Sequence, residues 1–386
     1  MMSVTAVPFF RPSIGRDEIA EAVECLENGW LTTGPKARRF EEEFAEFIGG
    51  GVHAVAVNSA TAALHLALEA LGIGPGDEVV VPTYTFTATA EVVRYLGATP
   101  VFTDCDEATF NMRAEDFEAA ITDRTAAVMP VHFAGLPCDM TAIAAIAERH
   151  GIRIVDDAAH ALPSMHRGRM IGDCLADATA FSFYANKTMT TGEGGMLVTH
   201  DPAIAERARQ MRLHGINRDV FNRFTDARAN WRYDIVAPGF KYNMTDIAAG
   251  IGLHQLRKVV AFREARAALC DRYDRILAGL PLTLPARGGA ADLHSRHLYI
   301  VRVNEDAPLG RDELIERLQE RNIGVSVHYT PLHRMTYWQE SCGLQAGAFP
   351  NAEAVGESCV SLPLFPGMTA EEQDYVAAAL GDLLGG

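Results

Sequence analysis

The chain has 386 residues, room for two or three hydrophobic cores at about 150 residues each, which excludes a disulfide-stapled mini-protein. With 48% hydrophobic and 22% charged residues it has the balance of a folded globular chain, not a disordered one. A formal net charge of −16 sets the surface as a whole against phosphate, so nucleic-acid binding is not expected and an anionic substrate needs a local basic patch.

In chain order, an N-terminal arm leads to helices expected near 16–28 and 36–48 and to Val/Ala runs at 53–57 that read as a strand. A helix from Thr61 to Leu71 follows, with Leu64, Leu68 and Leu71 on one face. Then come strand-like VVVP (79–82), a helix near 86–96, and strands PVF (100–102) and AAVMPV (126–131). A helix over 141–150 precedes strands IRIV (152–155), ATAFSF (178–183) and GMLVT (195–199). Short apolar strands alternating with helices specify an α/β fold whose sheet is mostly parallel and covered on both faces. An amphipathic stretch near 246–280 then carries the chain into a smaller α+β region. It holds HLYIVRV (297–303), a helix over 311–321 and VSVHY (325–329), read as a strand. The expected division is two domains: 1–250, the arm and the large α/β domain, and 251–386, the linking helix and a small C-terminal domain. Seven cysteines stand singly, without CxxC pairs or zinc spacing, so neither a disulfide framework nor a metal site is expected. No apolar run approaches the roughly 18 residues of a membrane span, and the opening residues lack a signal-peptide pattern, which makes the cytoplasm the expected location.

Open α/β sheets bind ligands at the carboxyl ends of their strands, so polar residues there are inspected first. In NSATAALHLAL (58–68), Asn58 or Ser59 is placed to cap a helix whose first N–H groups, at Ala60 and Thr61, face any anion at its positive end. In IRIVDDAAHAL (152–162) a strand ends in two carboxylates, and alternation sends only one of Asp156 and Asp157 into a site. In FSFYANKTMTTGEGGML (181–197), Lys187 follows a strand and precedes a glycine-rich turn, a setting in which desolvation makes a lysine nucleophilic. The stretch 212–241 carries six cations (Arg212, Arg218, Arg223, Arg228, Arg232, Lys241) against three acids, either a solvated loop or an edge for a nucleotide diphosphate.

An anion cradle, a strand-end aspartate and a lysine before Gly192-Glu193-Gly194-Gly195 are together what a pyridoxal phosphate site needs: a phosphate seat, a partner for the ring nitrogen and an amine for the aldehyde. VPFFRPSIGRDEI, ENGWLTTGPKARRFEEEFAEFIG, VHYTPLH (327–333) and SLPLFPGMTAEE (361–372) extend the pattern over nearly the whole chain. The sequence resembles the DegT/DnrJ/EryC1/StrS sugar aminotransferases, within the fold-type I pyridoxal phosphate enzymes. The resemblance implies a seven-stranded sheet sandwiched by helices, with a smaller α+β C-terminal part. It makes Lys187 the Schiff-base lysine, Asp157 the partner of the ring nitrogen, and Phe86 the aromatic stacked on the ring. His160, where many relatives carry Gln, would bond the cofactor's phenolic oxygen. Phosphate binding would fall to Ala60, Thr61 and Ser182, completed by Asn243 of the second subunit of a homodimer with shared active sites. The KYN variant at 241–243 departs from the commoner GFNYRM and leaves open whether Lys241 or Asn243 reaches the phosphate. Trp30, Tyr184, Lys241, His328 and Tyr329 are the expected substrate-binding residues of the sugar pocket.

The implied reaction is a transamination in two halves: pyridoxal 5'-phosphate accepts the amino group of L-glutamate and passes it to a nucleotide-linked ketosugar. The variant at 241–243 resembles the branch that aminates C4 of dTDP- or UDP-linked 4-keto sugars. Amination at C3 and a non-catalytic cofactor-binding regulator are the competing readings. A ketosugar dehydratase of the same family would carry histidine in place of Lys187.

Overall fold

The computed structural model describes residues 4–173, 175–217 and 233–385. Arg218, Arg223, Arg228 and Arg232 of the basic stretch, and Cys174, lie outside the described residues.

Seven strands form the central sheet: β1 (His53–Val57), β2 (Glu78–Pro82), β3 (Thr99–Thr103), β4 (Thr125–Val128), β5 (Arg153–Asp157), β8 (Ala178–Ser182) and β9 (Gly195–Thr199). The short β6 (Met165–His166) and β7 (Arg169–Met170) pair with each other beside it. The sheet order is β1-β9-β8-β5-β4-β2-β3, with β9 antiparallel to both of its neighbours and the remaining pairs parallel. Successive strand residues point to opposite faces, and the sequence supplies apolar groups to both. Val55, Val57 and Leu197 face helix α3 (Ala60–Ala70), while Ala54, Ala56, Met196 and Val198 face helix α2 (Pro35–Ile48) and the 31-residue helix Asp246–Ile276. Phe40 and Phe44 are fully buried there, worth about 1.5–3 kcal/mol each in apolar area removed from water.

The strand expected over 126–131 is shorter, because Pro130 has no N–H for the ladder and the chain leaves the sheet after Val128. Val131 returns for a single bridge to Asp157.

The C-terminal part is built on a second, antiparallel sheet of β10 (Leu282–Thr283), β11 (Tyr299–Val303) and β12 (Cys359–Leu362). Its core joins Tyr273, Tyr299, Val301, Leu314, Val360 and Val376. Residues 325–329 are not the expected strand. Only Ser326 bridges β12, exchanging N–H···O bonds with Ser361, because Gly324 is taken by the N-terminal arm, its N–H donating to Val7 O, and the next residues turn toward the site. The buried cluster of Tyr84, Phe110, Phe133, Leu298, Ile300 and Cys359 ties this part to the end of β2. No helix among the described residues is long and apolar enough to cross a membrane.

Candidate active site

At the carboxyl ends of β5 and β8 lies a cavity of about 380 Å³. Its wall includes Ala60, Thr61, Phe86, Asp157, His160, Ser182, Tyr184, Lys187, His328 and Tyr329, so ten of the residues singled out in the sequence meet in one place.

The two carboxylates that end β5 go opposite ways, as strand alternation requires. Asp156 turns into the core, where its Oδ2 lies 3.5 Å from His132 Nε2 with both side chains fully buried. Asp157 enters the cavity. Its Oδ2 accepts the Thr89 hydroxyl at 2.8 Å and its Oδ1 the Ala159 N–H at 3.1 Å. Thr89 gives its one proton to Asp157, so Thr85, 2.9 Å away, donates to Thr89. Burial pushes the Asp157 carboxyl up, against the pull of these two bonds and of the charges at Lys187 and His132.

Lys187 sits on a loop that leaves β8 and re-enters the sheet at β9. The loop is closed by Thr191 N–H to Phe183 O and Phe183 N–H to Gly194 O, both at 2.9 Å. It is bolted to the long helix by Thr190 N–H to Gln255 Oε1 at 3.3 Å. Burial pushes the Lys187 amine down to about 8, opposed by the negative charge of Asp157. A lysine so placed is about one-tenth neutral at pH 7, a far larger nucleophilic fraction than an ordinary lysine has.

The helix expected to cradle an anion is α3. Ser59 caps it, its Oγ accepting Ala62 N–H at 3.1 Å, and the amides of Ala60 and Thr61 have no carbonyl of their own helix to bond. They line the cavity at the positive end of the helix, with the Ser182 side chain on the same wall. The cradle rests directly on β9: a Cβ at Gly195 would stand 2.5 Å from the Ser59 carbonyl. Only glycine lets the helix end come this close.

Phe86 is 57% exposed at the cavity mouth, its ring 5.9 Å from that of Tyr329. His160 accepts Ala134 N–H on Nδ1 at 3.2 Å and places Nε2 3.1 Å from Tyr329 Oη. His328 contacts Ser361 Oγ at 2.8 Å through Nδ1, and burial, helped by the charge on Lys187, pushes its ring down to about 4. His160 is likewise pushed well down by burial.

Three predicted residues lie outside this cavity in the single chain. Trp30 packs on Gly34, where a Cβ would stand 1.7 Å from the indole nitrogen. Asn243 accepts from Lys241 Nζ at 2.7 Å, donates to Thr33 Oγ1 at 2.6 Å, and lines a separate cavity of about 480 Å³. Conversely, Thr85, Asn186 and Glu193 line the site without having been singled out as site residues. Glu193 was visible inside the GEGG turn, and Asn186 adjoins Lys187 with its Oδ1 buried and without a hydrogen-bond partner among the described residues. Thr85 and Thr89 are one helical turn apart in TYTFTATA, a spacing that fits a relay to a carboxylate.

This donor set fits pyridoxal phosphate. Two helix amides and two hydroxyls suit a phosphate, the carboxylate of Asp157 suits a protonated ring nitrogen, and the amine of Lys187 suits an aldehyde. Pocket and sheet topology together fit one class of protein, a pyridoxal phosphate-dependent aminotransferase. Residues 12–381 match the DegT/DnrJ/EryC1/StrS aminotransferase family, and the chain belongs to it. It is 46% identical over 382 residues to the spore coat polysaccharide biosynthesis protein SpsC of Bacillus subtilis, covering 98% of this chain and 97% of that protein. Among solved structures it resembles the putative sugar aminotransferase Spr1654 of Streptococcus pneumoniae in its pyridoxal phosphate form. That likeness has a TM-score of 0.90 and 36% identity over 98% of each chain. The Helicobacter pylori aminotransferase PseC, of pseudoaminic acid biosynthesis, aligns with a TM-score of 0.90 and 26% identity over 98% of this chain and 99% of its own. The cofactor is pyridoxal 5'-phosphate.

Proposed function

We propose that the protein moves an amino group from L-glutamate to C4 of a dTDP- or UDP-linked 4-keto sugar, in the cytoplasm, as a homodimer whose subunits share their active sites. The observation that carries the reading is a lysine amine held near neutrality, opposite a buried carboxylate, beside the open end of a helix. Relatives named for spore coat polysaccharide and pseudoaminic acid biosynthesis support a sugar as the acceptor.

When bound, pyridoxal phosphate supplies a carbon that carries the amino group between substrates and a ring that spreads negative charge. The helix α3 amides and the hydroxyls of Thr61 and Ser182 hold its phosphate. Asp157, fixed by Thr89 and the Ala159 N–H, holds a proton on the ring nitrogen. Lys187 Nζ takes the proton from the α-carbon of glutamate in the first half-reaction and delivers one to C4 of the sugar in the second. A neutral amine is needed for the first task and a charged one for the second, and an amine titrating at about 8 serves both.

Lys187 is the one Lys or Arg among the described residues lining the cavity, although phosphate, glutamate and sugar nucleotide are all anions. This imbalance supports a second subunit bringing Asn243 or Lys241 to the phosphate, and the described end of the basic stretch, Arg212 to Asn217, borders the face where Asn243 lies.

The test supplies the purified protein with pyridoxal phosphate, 15N-labelled glutamate and each 4-keto sugar nucleotide. The expected outcome is a cofactor absorption band that cycles and a product whose label sits on C4 by NMR. Label on C3, or no transfer, overturns the assignment.

A further inference from the structure

Helix α2 begins without a cap of its own. Its N-cap is Gly34, and Pro35 at the next position carries no N–H. Trp30 bars a capping side chain at 34, since a Cβ there would stand 1.7 Å from the indole nitrogen. The cap comes instead from far along the chain. Asp246 Oδ1 accepts the Gly34 N–H at 2.7 Å and the Ala37 N–H at 3.0 Å, and Oδ2 accepts the Lys36 N–H at 3.1 Å. With Arg38 N–H bonded to Gly34 O, every amide from Gly34 to Arg38 has an acceptor. Asp246 is 1% exposed, and these amides are what make so buried a carboxylate tolerable.

Asp246 also begins the long helix Asp246–Ile276, so one carboxylate joins two helix starts. Around it the two segments are zipped together. Asp246 N–H donates to Thr32 O at 3.0 Å, and the Thr33 hydroxyl donates to Met244 O at 2.6 Å. A hydroxyl has one proton, so Thr33 Oγ1 accepts from Asn243 Nδ2, 2.6 Å away. That settles which way the Asn243 amide faces. Nδ2 is toward Thr33 and Oδ1 toward the Lys241 ammonium at 2.7 Å, which leaves one amide N–H with no partner among the described residues. Thr33, Gly34 and Asn243 all line the 480 Å³ cavity, and Asp246 lines no part of the cavity that holds Lys187.

We propose that Asp246 is a positioning residue for the neighbouring subunit: by capping α2 across the chain it holds residues 30–37 and Asn243 as one rigid unit, and the loss of that cap is felt in the partner's active site and not in its own. The inference rests on the shared-site reading for where the unit acts; the clamp itself does not depend on it. Asp246→Ala removes the cap. Thr33→Val keeps the cap and cuts the bond to Asn243.

Both variants are expected to lower turnover about tenfold or more, and the decisive measurement is which subunit suffers. Two differently tagged chains, one Lys187→Ala and the other Asp246→Ala, are co-expressed, and the species carrying both tags is purified. The chain that keeps Lys187 then takes its clamp from the Lys187→Ala chain, so one site in two is intact and about half the parental activity is expected. Activity no higher than that of Asp246→Ala alone places the effect in its own chain and overturns the proposal. Thr33→Val paired with Lys187→Ala is expected to give the same half, and it answers the question should Asp246→Ala fail to fold. Asn243→Ala paired with Lys187→Ala separates the two readings. If this pair recovers and the Asp246→Ala pair does not, the positioning role fails and the shared site stands. If neither pair recovers, or no doubly tagged species forms, the shared-site reading fails and the role in the partner fails with it. Hydrogen–deuterium exchange in cofactor-free protein reads the clamp by itself. Asp246→Ala is expected to speed exchange about tenfold or more in residues 31–38 and 243–248, with residues 152–162 unchanged. Unchanged exchange in the first two segments overturns the proposal.

Discussion

In the proposed reaction one amine and one acid set the chemistry of the site, and each answers to its surroundings in a measurable way. Burial pushes Lys187 down to about 8 from the ordinary 10.5, so the neutral, reactive form rises with pH through about 8 and then saturates. The rate at which cofactor-free protein takes up pyridoxal phosphate should therefore climb about tenfold per pH unit below 8 and level off above it, followed by the growth of visible absorption. A rate still rising at pH 10 would show an ordinary exposed lysine. Lys187→Ala should lower turnover by about 10³-fold or more while leaving circular dichroism unchanged. Asp157→Asn keeps the Thr89 contact but removes the charge. It should cost about 10²-fold or more in kcat, measured in both half-reactions.

At the scale of elements, the cradle depends on how closely one helix end approaches one strand. Gly195→Ala would place a carbon against the Ser59 carbonyl, so α3 must lift off β9. Weaker pyridoxal phosphate binding by about tenfold, with a stability loss of about 1–3 kcal/mol in chemical denaturation, is the expected result. The lysine loop depends on Gln255, whose Nε2 donates to Ser13 O at 2.7 Å and to Glu18 Oε1 at 2.8 Å while its Oε1 takes Thr190 N–H. Burial pushes the Glu18 carboxyl up, but bonds from Lys258, Gln255 and Gly15 outweigh it and hold it at about 2. A carboxyl lowered on folding stabilises the protein above its ordinary value of 4.5, and that contribution fades as pH falls from 4.5 toward 2. Glu18→Gln should flatten the loss of stability in that window, read by denaturant titration at several pH values.

Much of this was legible in the sequence. Continuous apolar strands such as VVVP and AVAV announce a sheet buried on both faces, and the Asp157 and Lys187 motifs sit where such strands end. What resisted reading depends on long-range pairing. Residues 325–329 have the composition of a strand, but the N-terminal arm takes Gly324 just before them and only Ser326 pairs with β12. The Thr85–Thr89 pair is local, four positions apart, but its link to Asp157 joins side chains 68 positions apart, a distance at which no local pattern is visible.

On the scale of the whole molecule, Lys187 and Asn243 occupy two different cavities of one chain, which turns the proposed sharing of sites into a counting experiment. Lys187→Ala and Asn243→Ala proteins should each be inactive or impaired alone. Mixed, unfolded and refolded together, they should recover about a quarter of parental activity, because half the dimers are mixed and each mixed dimer holds one intact site. No recovery would place Asn243 in a role confined to its own chain. The backbone amides of α3 have a different consequence. A cradle made of main-chain N–H groups is encoded by no particular side chain, so mutational drift erases it only by disturbing a glycine or a helix end. The reactive amine is a single replaceable side chain. Retention of the cofactor and the chemistry done with it are therefore separately inherited, and descendants of this scaffold can exchange one reaction for another without rebuilding the seat.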